Sequence, residues 1–147
     1  MQIKQLALVI RLAEEQRDAA AGQLASGKAQ WQGAQDQLEQ LQQYQGQYVV
    51  QAKQEAQRGI SVQALFEGRR FIAELDDLIM KQQQNVEQQA SVLQSLTEQW
   101  MDAARYVQAL EQLKGLRVAE QQRAQDRREQ QLVDDQYAIR NSSPDYA

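Results

Sequence analysis

The sequence predicts an all-α fold, a long two-helix antiparallel coiled-coil hairpin, and three observations predict it. Apolar residues recur every seven positions through nearly the whole chain, the repeat is broken once near Gly59, and the two halves complement each other in side-chain size. In the first half one seam column reads Ile3, Ile10, Arg17, Leu24, Trp31, Leu38, Gln45 and Ala52, and its partner reads Leu6, Ala13, Ala20, Gly27, Ala34, Leu41 and Tyr48. In the second half the columns are Leu65, Ile72, Ile79, Val86, Leu93, Trp100, Val107 and Leu75, Leu96, Ala103, Leu110. A repeat of seven sustained this long describes helices wound on each other. Folding back near residue 60 sets residue i opposite residue 120 − i. Trp100 then meets Ala20, Leu93 meets Gly27, Val86 meets Ala34 and Val107 meets Ala13. Large facing small in successive layers is what interdigitated packing requires. The polar entries Arg17, Gln45, Gln82 and Gln89 interrupt the seam and are expected to fix its register.

The first helix is expected from about Ile3 to about Arg58, roughly 80 Å at ~1.5 Å per residue. Gly59 stops it, and Ser61 stands where it can cap the next helix. The second helix is expected from about Val62 to about Arg140, roughly 115 Å by the same rule. Asn141, Ser142, Ser143 and Pro144 end it, leaving a flexible tail over 141–147. The arms are therefore uneven. After Leu110 the seam positions become Lys114, Arg117, Gln121, Ala124 and Arg128, where the pairing rule runs out of first-helix partners. From about Val118 onward the sequence predicts an unpaired polar helix that orders on a partner.

Composition narrows the function. The 147-residue chain holds one Pro and seven Gly, and it reads as one coiled-coil unit without a separate globular domain. A formal net charge of −4 speaks against general affinity for nucleic acid, which draws on clustered Lys and Arg. The chain has no Cys and no His, so disulfides, thiolate chemistry, the usual metal ligands and the commonest general base are missing. Asp134 and Asp135 are adjacent on a helix and point in different directions, a poor cation site. No phosphate-binding Gly-rich loop appears, and a two-helix layer offers no deep pocket. The expectation is a protein that is not an enzyme, with no cofactor, metal or small-molecule substrate. No long apolar span and no secretory signal pattern is present, so the cytoplasm is the expected address.

Two regions carry more apolar surface than a seam can use. Leu8, Val9 and Leu12 lie off the seam beside Ile3, Leu6 and Ile10, while Phe66, Phe71, Leu78 and Met80 lie off it just past the turn. Either the ends of the hairpin splay and bury these residues locally, or the patches dock onto other molecules, since contiguous exposed apolar patches mark interaction sites. A protein of this kind is expected to connect two partners.

Several stretches resemble the FliJ family of the bacterial flagellar type III export apparatus. Arg58-Gly59-Ile60-Ser61, followed by Phe66 and Phe71-Ile72-x-x-Leu75, is the most specific match. Glu129 to Asp135 with Tyr137 is similar to the family's late acidic signature, with Gln130 and Gln131 where relatives often carry Lys. Leu41-x-x-Tyr44-x-x-x-Tyr48 is similar to the stretch before the turn. The resemblance implies a stalk that enters the hexameric ring of the export ATPase (FliI), promotes its assembly and hydrolysis, touches the export gate protein (FlhA) and helps recycle export chaperones. It implies a place at the cytoplasmic face of the inner membrane. It further assigns the gate contact to Phe71, which lies off the seam, and to Leu75, a seam residue for which packing in the core is the alternative, and it points to the terminal region for the ring contact. There the exposed candidates are Leu8, Leu12, Arg117, Arg123, Arg127 and Arg128. The stalk of an injectisome and a self-associating structural coiled coil are the competing expectations.

Overall fold

The computed structural model describes residues 2–142. It contains two α-helices, α1 (Ile3–Arg58) and α2 (Val62–Ser142), packed against each other as a helical hairpin, with no strand among the described residues. The turn is built as its residues dictate. Gly59 adopts φ +90°, a left-handed conformation that closes helices at low cost only for a residue without Cβ. Its N–H donates to Ala56 O at 3.2 Å. Ser61 then caps α2, its Oγ accepting from Ala64 N–H at 3.1 Å while its carbonyl accepts from Leu65 N–H at 3.1 Å. At the start of α1, Gln5 Oε1 accepts from Gln2 N–H at 3.3 Å, one half of a capping box. The second helix continues through Ser142, two residues past the expected stop at Arg140. Ser142 Oγ donates to Ile139 O at 3.1 Å, which occupies a carbonyl otherwise left open at a helix end. The remainder of the expected tail, including Pro144, lies outside the described residues.

The chain forms two compact units, one of the amino-terminal residues up to Arg17 with the stretch from Asp102 onward, the other of Asp18–Met101. Within Asp18–Met101 the two helices meet in the antiparallel register of the sequence pattern. Gln82 Nε2 donates across to Ala34 O at 2.8 Å and to Gln37 Oε1 at 3.3 Å. Gln45 Nε2 donates across to Asp76 Oδ1 at 2.5 Å. Tyr48 stacks on Phe71, and a Cβ on Gly27 would lie 3.8 Å from Leu93 Cδ1. All these pairs fall within about one helical turn of the 120 − i rule. Two glutamines that break the apolar repeat therefore tie one helix to the other by hydrogen bonds, and a slip of register would strand both amides. Ala34, Leu75 and Ile79 are buried along the same interface, and Trp31 and Trp100 are half-buried.

The terminal unit has its own small core of Leu6, Ile10, Ala13, Val107 and Leu110, with Val9 packed against it. A shallow cleft is lined by Gln2, Ile3 and Lys4 on one side and by Arg117, Glu120, Gln121 and Ala124 on the other. Beyond Lys114 the described residues of α2 are exposed, except for the half-buried Ala124.

The helices approach each other closely at Gly27. A Cβ there would lie 2.6 Å from Leu96 Cδ1, whereas one on Gly33 would meet nothing within 4 Å. Gly27→Leu is expected to lower stability by about 1–3 kcal/mol through overpacking. Gly33→Ala is expected to raise it by roughly 0.5–1 kcal/mol through helix propensity alone. Urea unfolding of the two variants against the parent checks both signs.

Candidate functional site

Among the described residues no three His, Cys, Asp or Glu side chains group as a metal site would require. Asp134 and Asp135 each accept a hydrogen bond from the Gln four residues earlier, Gln130 at 3.1 Å and Gln131 at 3.2 Å. Gln122 serves Asp126 in the same way at 3.1 Å. These side chains support the helix that carries them. What remains for function is surface, and two surfaces stand out, one in each unit.

The first lies beside the turn, in the unit Asp18–Met101. Phe71 does not stand free of the helix pair, as an off-seam position suggested. It is half-buried, its ring 4.6 Å from that of Tyr48 in a tilted contact and 6.4 Å from that of Tyr44 in an edge-on one. The Tyr44 contact is the favourable T-shaped kind, and both centroid separations lie in the range of attractive aromatic pairs. Leu75, one turn further on, is 4 % exposed and belongs to the interface between the helices. The structure therefore joins the two positions as neighbouring layers of packing, with Phe71 keeping one face outward and Leu75 lying beneath. The aromatic cluster was not read from the sequence, although its signal was there. The 120 − i rule places Phe71 opposite residue 49, next to Tyr48, and Tyr44 precedes Tyr48 by one turn. Around the cluster Phe66, Leu78 and Met80 are exposed, Phe66 at 62 %.

The second surface lies in the terminal unit. Leu8 and Leu12 are about half exposed and one turn apart on α1, so they form a continuous apolar strip outside the core, whereas Val9 is taken up by it. On α2, Arg117, Arg123, Arg127 and Arg128 are all exposed. Arg117 borders the cleft beside Ile3 with Glu120. The later stretch also exposes Leu132, Val133, Tyr137 and Ile139, each at more than half of its surface. Leu132, Val133 and Tyr137 belong to the late stretch that resembles the family signature, but their apolar surface was not read from the sequence, and Ile139 was not singled out.

The fold is that of an all-α coiled-coil hairpin protein that exposes apolar and charged surface patches. The family model described as Flagellar FliJ protein matches residues 1–143, nearly the whole chain. The chain therefore belongs to the FliJ family and is a flagellar export-related protein. No curated protein and no solved structure shows significant similarity to it. No helix among the described residues is long and apolar enough to cross a membrane.

Since Phe71 is packed against two tyrosines, Phe71→Ala is expected to cost about 1–3 kcal/mol, below the range for a fully buried Phe because one face is already wet. Thermal unfolding followed by far-UV circular dichroism checks the loss, and an unchanged midpoint would place the ring outside the packing.

Proposed function

We propose that the chain is a non-enzymatic cytoplasmic stalk of the flagellar type III export apparatus, set at the cytoplasmic face of the inner membrane. In this reading it enters the ring of the export ATPase, promotes the ring's assembly and hydrolysis, and links it to the export gate and to chaperones. The family match across residues 1–143 carries the reading. It is supported by the exposed apolar and charged side chains beside the turn and in the terminal unit.

The roles divide accordingly. The terminal unit is the ring-binding part. Leu8 and Leu12 offer apolar contact, and Arg117, Arg123, Arg127 and Arg128 offer planar guanidinium groups suited to carboxylates lining a ring. The turn-proximal surface is the gate-binding part. Phe71 contributes its open face, and Leu75 holds that face in place from below.

Truncation after Gln125 removes helix that has no counterpart on α1, so the hairpin is expected to keep its helical signal per residue and its unfolding midpoint. Stimulation of the cognate ATPase is expected to fall sharply. Replacing Arg123, Arg127 and Arg128 with Gln preserves helix propensity and removes charge. Stimulation by that variant is expected to weaken and to lose its salt sensitivity, because the lost pairing is what a Debye length of about 8 Å at physiological salt screens. Full stimulation by the truncated chain would remove this stretch from the ring contact.

A further inference from the structure

Beside the turn, α1 and α2 do not close on each other. The residues there are small, the seam positions Ala52 and Gly68 together with the adjoining Ala56 and Ala64. They leave a half-open groove of about 350 Å³ that runs from Ile60 to Tyr48. An apolar cavity of about 150 Å³ holds one benzene ring, so this volume admits two large side chains. Leu65, a seam residue by sequence, is 36 % exposed because it faces this groove instead of a partner residue.

The charge around the groove differs from that of the chain. Between residues 53 and 70 stand Lys53, Arg58, Arg69 and Arg70 against Glu55 and Glu67, while the whole chain carries a net −4. Arg70 is paired with Glu74 at 3.6 Å. Lys53, Arg58 and Arg69 have no ion-pair partner among the described residues; Lys53 and Arg69 border the groove directly, against one carboxylate there, Glu55, so its rim keeps an excess of positive charge. An apolar trough flanked by unpaired cations is complementary to a helix that carries large apolar side chains one turn apart and carboxylates beside them.

We infer that this groove, and not the Phe71 face alone, is the seat of the gate protein, and that it takes an acidic amphipathic helix as a third helix against the hairpin. The inference rests on the reading of the turn-proximal surface as the gate-binding one. Tyr48 connects the two features, since it lines the groove and stacks on Phe71. Loss of gate binding on Phe71→Ala would then act partly through Tyr48.

Gly68 provides a test that does not unfold the protein. A Cβ there would meet only Tyr48 Oη, at 3.8 Å, so a longer side chain enters open space. Leucine is also the better helix former. Gly68→Leu fills the groove, Gly33→Leu adds the same side chain at an open position elsewhere, and a third variant replaces Lys53, Arg58 and Arg69 with Gln. Binding of the full chain to the purified cytoplasmic region of the gate protein is measured by calorimetry at two salt concentrations. Gly68→Leu is expected to weaken binding by at least about tenfold with an unfolding midpoint no lower than the parent's, and Gly33→Leu to leave it unchanged. The Gln variant is expected to bind more weakly and to lose most of its salt dependence. Parent-like affinity of Gly68→Leu overturns the groove assignment and leaves the gate reading intact. No binding by the parent overturns the gate reading and the assignment with it. If sedimentation shows a parent dimer that Gly68→Leu dissolves, the occupant is a second copy of the chain and the assignment of an acidic partner helix is wrong.

Discussion

A two-helix layer has only one side on which to bury anything, and every other property of this chain follows from that constraint. Each apolar side chain on the seam finds its partner on the opposite helix or nowhere, since no third layer encloses the pair. That makes the size match between facing positions decisive. Gly27 is tolerated in mid-helix because Leu96 occupies the space a side chain would need. It also gives the polar seam residues a definite task. Gln82 and Gln45 reach across the interface to Ala34 O and to Asp76, and those bonds exist only in one register. A helix pair held by a shallow apolar seam alone slides easily, and directional hydrogen bonds oppose the sliding.

The same constraint explains where function is found. Whatever lies off the seam is left to solvent or to another molecule. Leu8 and Leu12 in the terminal unit, and Phe66, Leu78 and Met80 beside the turn, are exposed for this reason and not through any local irregularity of the helices. Where the seam and its flank are small, as at Ala52, Ala56, Ala64 and Gly68, the outcome is a groove instead of a core. A coiled coil that needed only to be stable would fill its seam with Leu or Ile.

Much of this was legible in the sequence. The heptads, the left-handed turn at Gly59, the cap at Ser61 and the antiparallel register depend on local rules and on a single pairing constraint, which residue identities express directly. Less legible was anything set by the reach of side chains. Phe71 looked free because it lies off the seven-residue columns, yet its ring is long enough to lean onto Tyr48 and Tyr44. Val9 was grouped with Leu8 and Leu12 as surplus apolar surface, but only Val9 packs on the core. The docking assignments stood at a further remove. Exposed leucines and arginines mark a surface, and the family to which the chain belongs says what such a surface is for.

The central claim is that one chain folds on itself in a single antiparallel register, so the most direct measurement is an intrachain crosslink. The sequence contains no cysteine, so two introduced thiols have no competitors. Cysteines replacing Gly27 and Leu96 stand where a Cβ on residue 27 would lie 2.6 Å from Leu96 Cδ1, a proximity compatible with the roughly 3.5–4.5 Å between Cβ atoms that a disulfide needs. Mild oxidation at low protein concentration, read by non-reducing electrophoresis and intact mass, is predicted to give a monomer two mass units lighter that migrates differently from the reduced chain. Crosslinked dimers without the internal disulfide would contradict the account, because they would show that the seam is completed by a second chain.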